Sequence, residues 1–302
     1  METSESKIKG MENQLRKTGM PLEIRISSLL DQNWKRVQNQ DTYFDDKMDT
    51  LREIDICASI SPKRIKNVEL EANLVIECKQ SEKLDWVFFT RPFVFKPESI
   101  AGQYSDEVQM AARNRAREEI MSLILENLPL HYKKAQDIAV TFKVLSGGQN
   151  KNEIGTKIKQ LEDVIFEARE QVKSYVNLTI DQDIDDRVAT LPYTIELYFP
   201  CIVFRGTEGA GLYQAQVVND EIRIQETDHV ILSSLYKSKY STYEKNILID
   251  VVTEDYFSKV HEKQIIQDIE NIEVAINANS DKISSRIEEI LGFLDSVGKE
   301  RV

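Results

Sequence analysis

Residues 51–79 read LREIDICASISPKRIKNVELEANLVIECK. The first ten alternate apolar and polar, with Leu51, Glu53, Asp55 and Cys57 on one side and Ile54, Ile56 and Ala58 on the other, which is the period-two pattern of a β-strand. Ser61, Pro62 and Lys63 make a turn. Residues 68–79 form a second strand, and its run of Ala72, Leu74, Val75 and Ile76 is the apolar pattern of a strand buried inside a sheet. That strand ends in charge. Glu77 and Lys79 are two residues apart and leave the same face, while Cys78 leaves the other. If the two strands are neighbours, Asp55 meets Glu77. Two carboxylates held close repel unless a cation lies between them, so the pair reads as a Mg²⁺ or Mn²⁺ site. A lysine beside them can orient or help deprotonate a metal-bound water and offset charge on an attacked phosphate. Unpartnered charge at the end of an apolar strand is costly. The alternative to a site is a ladder of ion pairs at a sheet surface.

Reading outward, Leu22, Ile26, Leu29 and Leu30 recur at helical spacing behind Gly19 and Pro21, which predicts a helix over 19–32 preceded by a polar leader. Residues 86–95 (WVFFTRPFVF) predict a third, aromatic strand with Pro92 at an edge or bend. Three strands thus follow one helix. Val108, Ala112, Ala116, Ile120, Ile124 and Leu128 predict a long helix over 105–128, and residues 139–145 a strand. Ile158 to Tyr175 predict a helix over 153–177. Strands follow at 194–204, interrupted by Pro200, then at 212–218, 229–235 and 246–253. Two isoleucine stripes close the chain, one over 265–276 and one over 283–297, with a break at NANSD between them. No proline-rich linker divides the sequence. We read residues 1–302 as one elaborated α/β domain, with a core motif region at 19–95, an extension at 96–253 and a helical segment at 254–302.

The combination of REID at 52–55, IECK at 76–79 and an acid on the preceding helix resembles the PD-(D/E)XK nuclease superfamily, the restriction-endonuclease-like fold, over residues 19–93. The resemblance implies an αβββαβ core, a mixed sheet flanked by helices, here with additional C-terminal strands and a helical hairpin. It implies that Asp55 is the metal-binding aspartate, that Glu77 and Lys79 are the second half-motif, and that Glu23 is the helix acid. Asp55, Glu77 and Glu23 would hold Mg²⁺ or Mn²⁺. The activity implied is phosphodiester hydrolysis, in DNA before RNA, by in-line attack that leaves a 5′-phosphate and a 3′-hydroxyl. The residue before Asp55 is Ile54 where the eponymous motif has proline. An acid-x-Lys tripeptide also occurs at Glu5-Ser6-Lys7 and Asp45-Asp46-Lys47, but only Glu77 follows an apolar strand.

Other features read as structural. Glu53 shares a face with Asp55 and is an edge glutamate before it is a ligand, and Gln80 and Ser81 are a phosphate contact or a polar turn. Arg113, Arg115, Arg117, Lys133 and Lys134 are a solvated face before a phosphate track. Glu170 and Gln171 read as surface. His131, His229 and His261 have no ligand spacing and read as structural. The aromatics at 86–95 read as core, and Cys57 and Cys78 as packed thiols. No phosphate-binding glycine loop is present.

With 39 Lys and Arg against 51 Asp and Glu, the net charge of -12 excludes long-range attraction of polyanions, so nucleic-acid recognition must be local and metal-assisted. Three cysteines, an odd number widely spaced, make neither a disulfide framework nor a zinc ribbon and point to a reducing compartment. No signal-peptide pattern and no long apolar run occur, so the expectation is a soluble, cytoplasmic protein with no membrane partner. The isoleucine stripes would either pack on the sheet or seat a homodimer or partner protein through 254–302. A non-catalytic interaction protein that keeps the nuclease fold and assembles through those helices is the alternative function.

Overall fold

The structure is a computed structural model and describes residues 4–15, 18–45, 50–60, 63–65, 68–82, 85–96, 99, 104–106, 130–145, 156, 193–236, 245–285 and 288–289. The chain begins with α1 (Ser4–Leu15) and α2 (Met20–Leu30), then β1 (Arg36–Asp45), β2 (Thr50–Ser59), β3 (Lys63–Ile65), β4 (Val68–Glu82) and β5 (Asp85–Pro92). After β6 (Tyr104–Asp106) come a short helix α3 (His131–Lys134) and β7 (Asp137–Leu145). The C-terminal part holds β8 (Tyr193–Thr207), β9 (Leu212–Val218), β10 (Glu221–Glu226), β11 (His229–Tyr236) and β12 (Lys245–Thr253). It ends in α4 (Glu254–Tyr256), a π-helical turn (Phe257–His261) and α5 (Glu262–Ala278). No described helix is long and apolar enough to cross a membrane.

Among the described residues, the strands form one large mixed sheet in the order β1-β2-β4-β8-β12-β11-β7-β5-β9-β10, with β3 on β4 and β6 on β8. β1, β2 and β4 are an antiparallel meander, whereas β4, β8 and β12 run parallel. These three parallel strands are central because both of their faces are apolar. On β8, Leu197, Phe199, Cys201 and Val203 enter a core under α2 and α5, while Tyr198, Ile202 and Phe204 enter a second core on the opposite face.

The second core exists because the sheet rolls onto itself. The Trp86 ring of β5 lies 4.7 Å from that of Phe204 on β8, yet the two strands are four places apart in the sheet. Flat pleating would separate them by roughly 19 Å. The roll also explains how residues 208–211 link β8 to β9, with Glu208 and Gly209 at positive φ in the turn. Gly206 is required there, since a Cβ on it would stand 1.9 Å from the Ala210 carbonyl oxygen.

The outer face carries the helices. Leu22, Ile26 and Leu30 of α2, and Ile265, Ile269, Ile272 and Ile276 of α5, are all buried in the first core. The isoleucine stripe at 265–276 is therefore spent on the sheet, the first of the two uses considered for it.

Several expectations need correction. The polar leader is helical over Ser4–Leu15. An unforeseen strand, β1, follows α2, so the strands carrying Asp55 and Glu77 are second and third in the meander, and the aromatic strand at 85–92 joins the far side of the sheet. Asp45, the first acid of the Asp45-Asp46-Lys47 tripeptide, ends β1. Pro200 does not interrupt β8: it faces Val75 of β4, and pairing with β12 begins only at Cys201, so its missing N–H removes no ladder bond on that side. β10 pairs with β9 across Asn219 and Asp220, both at positive φ as a two-residue hairpin requires. The expected helices at 105–128 and 153–177 lie outside the described residues, as does most of the stripe at 283–297, whose first member, Ile283, is buried.

Candidate functional site

Two polar clusters lie against the central parallel strands. The first is built at the point where β2 leaves β4. The ladder between them runs from Ser59↔Asn73 to Ile56↔Ile76, and one further step in the same register sets Asp55 opposite Glu77. Alternation on β2 fails at this point: Ile54 packs in the second core and Ile56 in the first. Opposite, Gln40 of β1 has φ 53, a left-handed residue in the strand. The kink frees the Asp55 side chain, and its Oδ2 accepts the backbone N–H of Cys78 at 2.7 Å. Asp55 thereby grips the residue between Glu77 and Lys79.

Glu23 arrives from α2. It sits in the first turn of that helix, where a carboxylate is favoured by the helix dipole, and Pro21 occupies the start of the helix. A Cβ on Gly19 would stand 3.1 Å from Glu23 Oε1 and 3.9 Å from the Cys78 carbonyl oxygen. The bare backbone at Gly19 thus lets the Glu23 carboxylate fold back toward β4. Glu77 is buried at 1% exposure, and Lys79 and Asp55 are half-buried. The electrostatics agree with this convergence. Burial pushes the Cys78 thiol well above its usual range, and the charges of Asp55, Glu23, Glu77 and Glu254 push it the same way.

Glu254 is held differently from the others. It follows β12 at the C-terminal end of the parallel strands, and its two oxygens face Arg25 Nε at 2.6 Å and Arg205 Nε at 3.5 Å. Arg205, Gly206, Asp228 and Glu254 line a cleft of about 290 Å³ at those strand ends, the usual place for a ligand in an open α/β sheet. Asp55 and Glu23 reach the backbone of β4 at Cys78, while Glu77 leaves that strand on the face opposite to Cys78 and α2, and the oxygens of the three acids are not gathered within 4.8 Å of one another. The donors are all hard oxygens. They suit Mg²⁺ or Mn²⁺, which keep several waters and use one or two carboxylates together with substrate phosphate.

The second cluster was not visible in the sequence. Asp250 of β12 is fully buried, and all three histidines of the chain face it. His229 Nε2, at the start of β11, lies 2.7 Å from Asp250 Oδ1. His131 Nε2 and the Tyr132 hydroxyl, both from α3, lie 3.1 and 3.0 Å from Oδ2. His261 Nε2, from the π-helical turn, lies 3.6 Å from Oδ2. Behind His131, its Nδ1 bonds Asp268 of α5. Burial opposes charge on His131, but Asp250 and the hydrogen-bonded Asp268 outweigh it and push the imidazole up to about 9. His261 goes the other way, lowered to about 3 by burial and by the charges of His131 and His229, against the pull of Asp250 and Gln264. Asp250, despite its burial, is held well below the usual carboxylate range by His131 and His261.

Of the remaining expectations, Lys133 places its Nζ 5.6 Å from the Phe95 ring centre, a contact within the fold. Cys78 and Cys201 are buried free thiols and Cys57 is half-buried, consistent with packed cysteines. Arg113, Arg115, Arg117, Glu170 and Gln171 lie outside the described residues. No protein-family model, curated protein or solved structure matches the chain.

Proposed function

We propose that this protein is a metal-dependent phosphodiester hydrolase, a nuclease of restriction-endonuclease-like architecture acting on DNA before RNA. The observation that carries the reading is the hydrogen bond that Asp55 accepts from the backbone N–H of Cys78, the residue between Glu77 and Lys79, with the Glu23 carboxylate of α2 close to the same stretch of β4. Topology supports it. A helix followed by an antiparallel meander with the aspartate on its second strand and Glu-x-Lys on its third accords with the first part of the order that the resemblance implies, and β8, later in the chain, runs parallel to that third strand. The segment between β4 and β8 adds β5 to β7 and α3 to that core.

Asp55 and Glu77 would hold Mg²⁺ or Mn²⁺, with Glu23 contributing from α2. When bound, the ion supplies Lewis acidity at phosphorus and lowers the pKa of a coordinated water. Lys79 orients the attacking water and offsets the charge that develops on the phosphate. The Cys78 N–H fixes the Asp55 rotamer, so the aspartate is preorganised at little entropic cost. A net charge of -12 makes a delivered substrate, brought by a partner or a complex, more suitable than free capture of DNA.

The test is to incubate the full chain with circular and linear DNA, single strands and RNA, in Mg²⁺ or Mn²⁺ against EDTA, beside Asp55→Asn and Lys79→Ala. Metal-dependent cutting lost in both variants is expected. Cutting that persists in both, or no cutting of any substrate, overturns the assignment.

A further inference from the structure

We propose that His229, Asp250 and His261 form a second, independent metal site, for one borderline divalent transition ion of the Zn²⁺ class. His261 is fully buried, and neither of its ring nitrogens makes a hydrogen bond of normal geometry. An imidazole in that state loses its hydration without compensation, a cost of roughly 1 to 3 kcal/mol for each unsatisfied group. Its Nε2 is nevertheless aimed at Asp250 Oδ2, which already accepts from the Tyr132 hydroxyl and faces His131 Nε2. Asp250 does not need His261 for its own satisfaction. A ligand between them would satisfy both.

The distances fit such a ligand. The three donor atoms all lie within 4.8 Å of one another. Tetrahedral ligands about 2.0 Å from an ion stand roughly 3.3 Å apart. His229 Nε2 stands 2.7 Å from Asp250 Oδ1 and His261 Nε2 stands 3.6 Å from Oδ2, so the two imidazoles flank the two oxygens of one carboxylate at separations either side of that value. Two imidazoles and one carboxylate are the donor set of open Zn²⁺ and non-haem Fe²⁺ sites, and differ from the all-oxygen set at Asp55 and Glu77.

The surroundings fit it too. His261 is presented by a π-helical turn between α4 and α5, an irregularity that turns a side chain where a regular helix would not and that recurs at functional sites. His131 Nε2 and the Tyr132 hydroxyl hold the Asp250 carboxylate in place, and Asp268 anchors His131, the usual support behind a metal ligand. The site is not closed. His229 is 20% exposed in its side chain, and with His131, Tyr256 and Gln264 it lines a cleft of about 340 Å³. Three protein ligands and an approach from solvent leave a coordination position for water or an anionic ligand.

The experiment is metal binding by the full chain. The protein is stripped with chelator, exposed to Zn²⁺ or to Co²⁺ as a spectroscopic stand-in, freed of excess, and assayed for metal content, visible Co²⁺ absorption and melting temperature. About one ion per chain, a raised melting temperature and Co²⁺ bands of a four- or five-coordinate site are expected. His229→Ala, the least buried of the three positions, should weaken Zn²⁺ at least tenfold while keeping the native circular dichroism spectrum, and Asp55→Asn should bind as the parent does. Absence of retained Zn²⁺ and of any thermal shift in the parent overturns the proposal without bearing on hydrolysis at Asp55. So does a loss of Zn²⁺ in Asp55→Asn with none in His229→Ala.

Discussion

The two polar clusters sit on strands of one sheet separated by β8 yet are built by opposite strategies. Around Asp55 the groups are mostly acidic and half-buried, Glu77 alone being fully buried, and most come from two strands close in the chain. Around Asp250 they are histidines, tyrosine and a second aspartate, largely buried and brought from α3, β11, the π-turn and α5. The cross-strand row Ile56, Ile76, Cys201, Asp250 connects them, so Asp250 lies two strands from β4, roughly 10 Å away. Charge placed at the rim of a sheet can wait for its counter-ion from solvent. Charge placed inside must be balanced by the protein itself or by a resident ion. This difference makes the two regions separable by experiment.

The largest effect belongs to the acidic cluster. Asp55→Asn should lower metal-dependent hydrolysis by about a thousandfold or more, since several kcal/mol of transition-state stabilisation pass through the metal. Its melting temperature should stay near that of the parent, because the side-chain amide oxygen introduced by Asp55→Asn can still accept from the Cys78 N–H. Single-turnover rates beside a thermal scan check both halves. A variant that loses stability in proportion to activity would make Asp55 a structural residue and erase the contrast with Asp250.

Asp250→Asn should do the reverse. It leaves His131 and His261 around a neutral amide in a dry interior, and removing one partner of a buried charged pair typically costs about 3 to 5 kcal/mol. Urea unfolding in the presence of chelator measures this directly. A loss below about 1 kcal/mol would mean that the cluster is hydrated and would weaken the case for a built site.

The histidines also set a pH dependence for the metal-free chain. His131 is pushed up from 6.5 to about 9, so its contribution is complete below about pH 6.5 and fades as pH rises through 9. His261 is lowered from 6.5 to about 3, so the unfolded chain takes up a proton that the folded chain refuses, and stability falls as pH drops from 6.5 toward 3. Stability should therefore peak near neutral pH and decline on both sides, with Asp55→Asn tracing the same curve. Saturating Zn²⁺ should steepen the acid limb, because the ligands must be deprotonated to bind. A profile flat from pH 5 to 9 would remove His131 and His261 from the balance of charge.

The same contrast governs what the sequence discloses. Asp55, Glu77 and Lys79 are legible because spacing of two on a strand and an apolar run before the charge are local properties of the chain. Glu23 is legible only through the expected helix that carries it. The histidines at 131, 229 and 261 have no shared period: the antiparallel pairing of β11 with β12 sets His229 beside Asp250, and α3 and the π-helical turn carry His131 and His261 to it. An aspartate set in the apolar strand ILIDVV at 247–252 was the available clue, because a lone acid there demands a partner. β1 is missed because RVQNQDTYFD is mostly polar and rests on the edge of the sheet, and α1 because its composition is that of a leader. Pro200 misleads because its cost depends on which neighbour faces its nitrogen, a fact of sheet order.

The smallest expected effect lies on the bridge between the clusters. Arg25 of α2 bonds Glu254, the residue that follows the strand of Asp250, at 2.6 Å. The pair is exposed enough for Arg25→Ala to cost no more than about 1 kcal/mol of stability. Its position matters more than its energy, because Arg25 is two residues from Glu23 and ties the helix bearing that acid to the end of β12. We expect hydrolysis to fall by a few-fold in Arg25→Ala, from looser placement of Glu23, while Zn²⁺ affinity stays unchanged. Rates and metal titrations on the same preparation decide it. If both fall together, the two clusters are coupled through α2 and α4 and act as one site; if only hydrolysis falls, the rim and the interior work independently on a shared sheet.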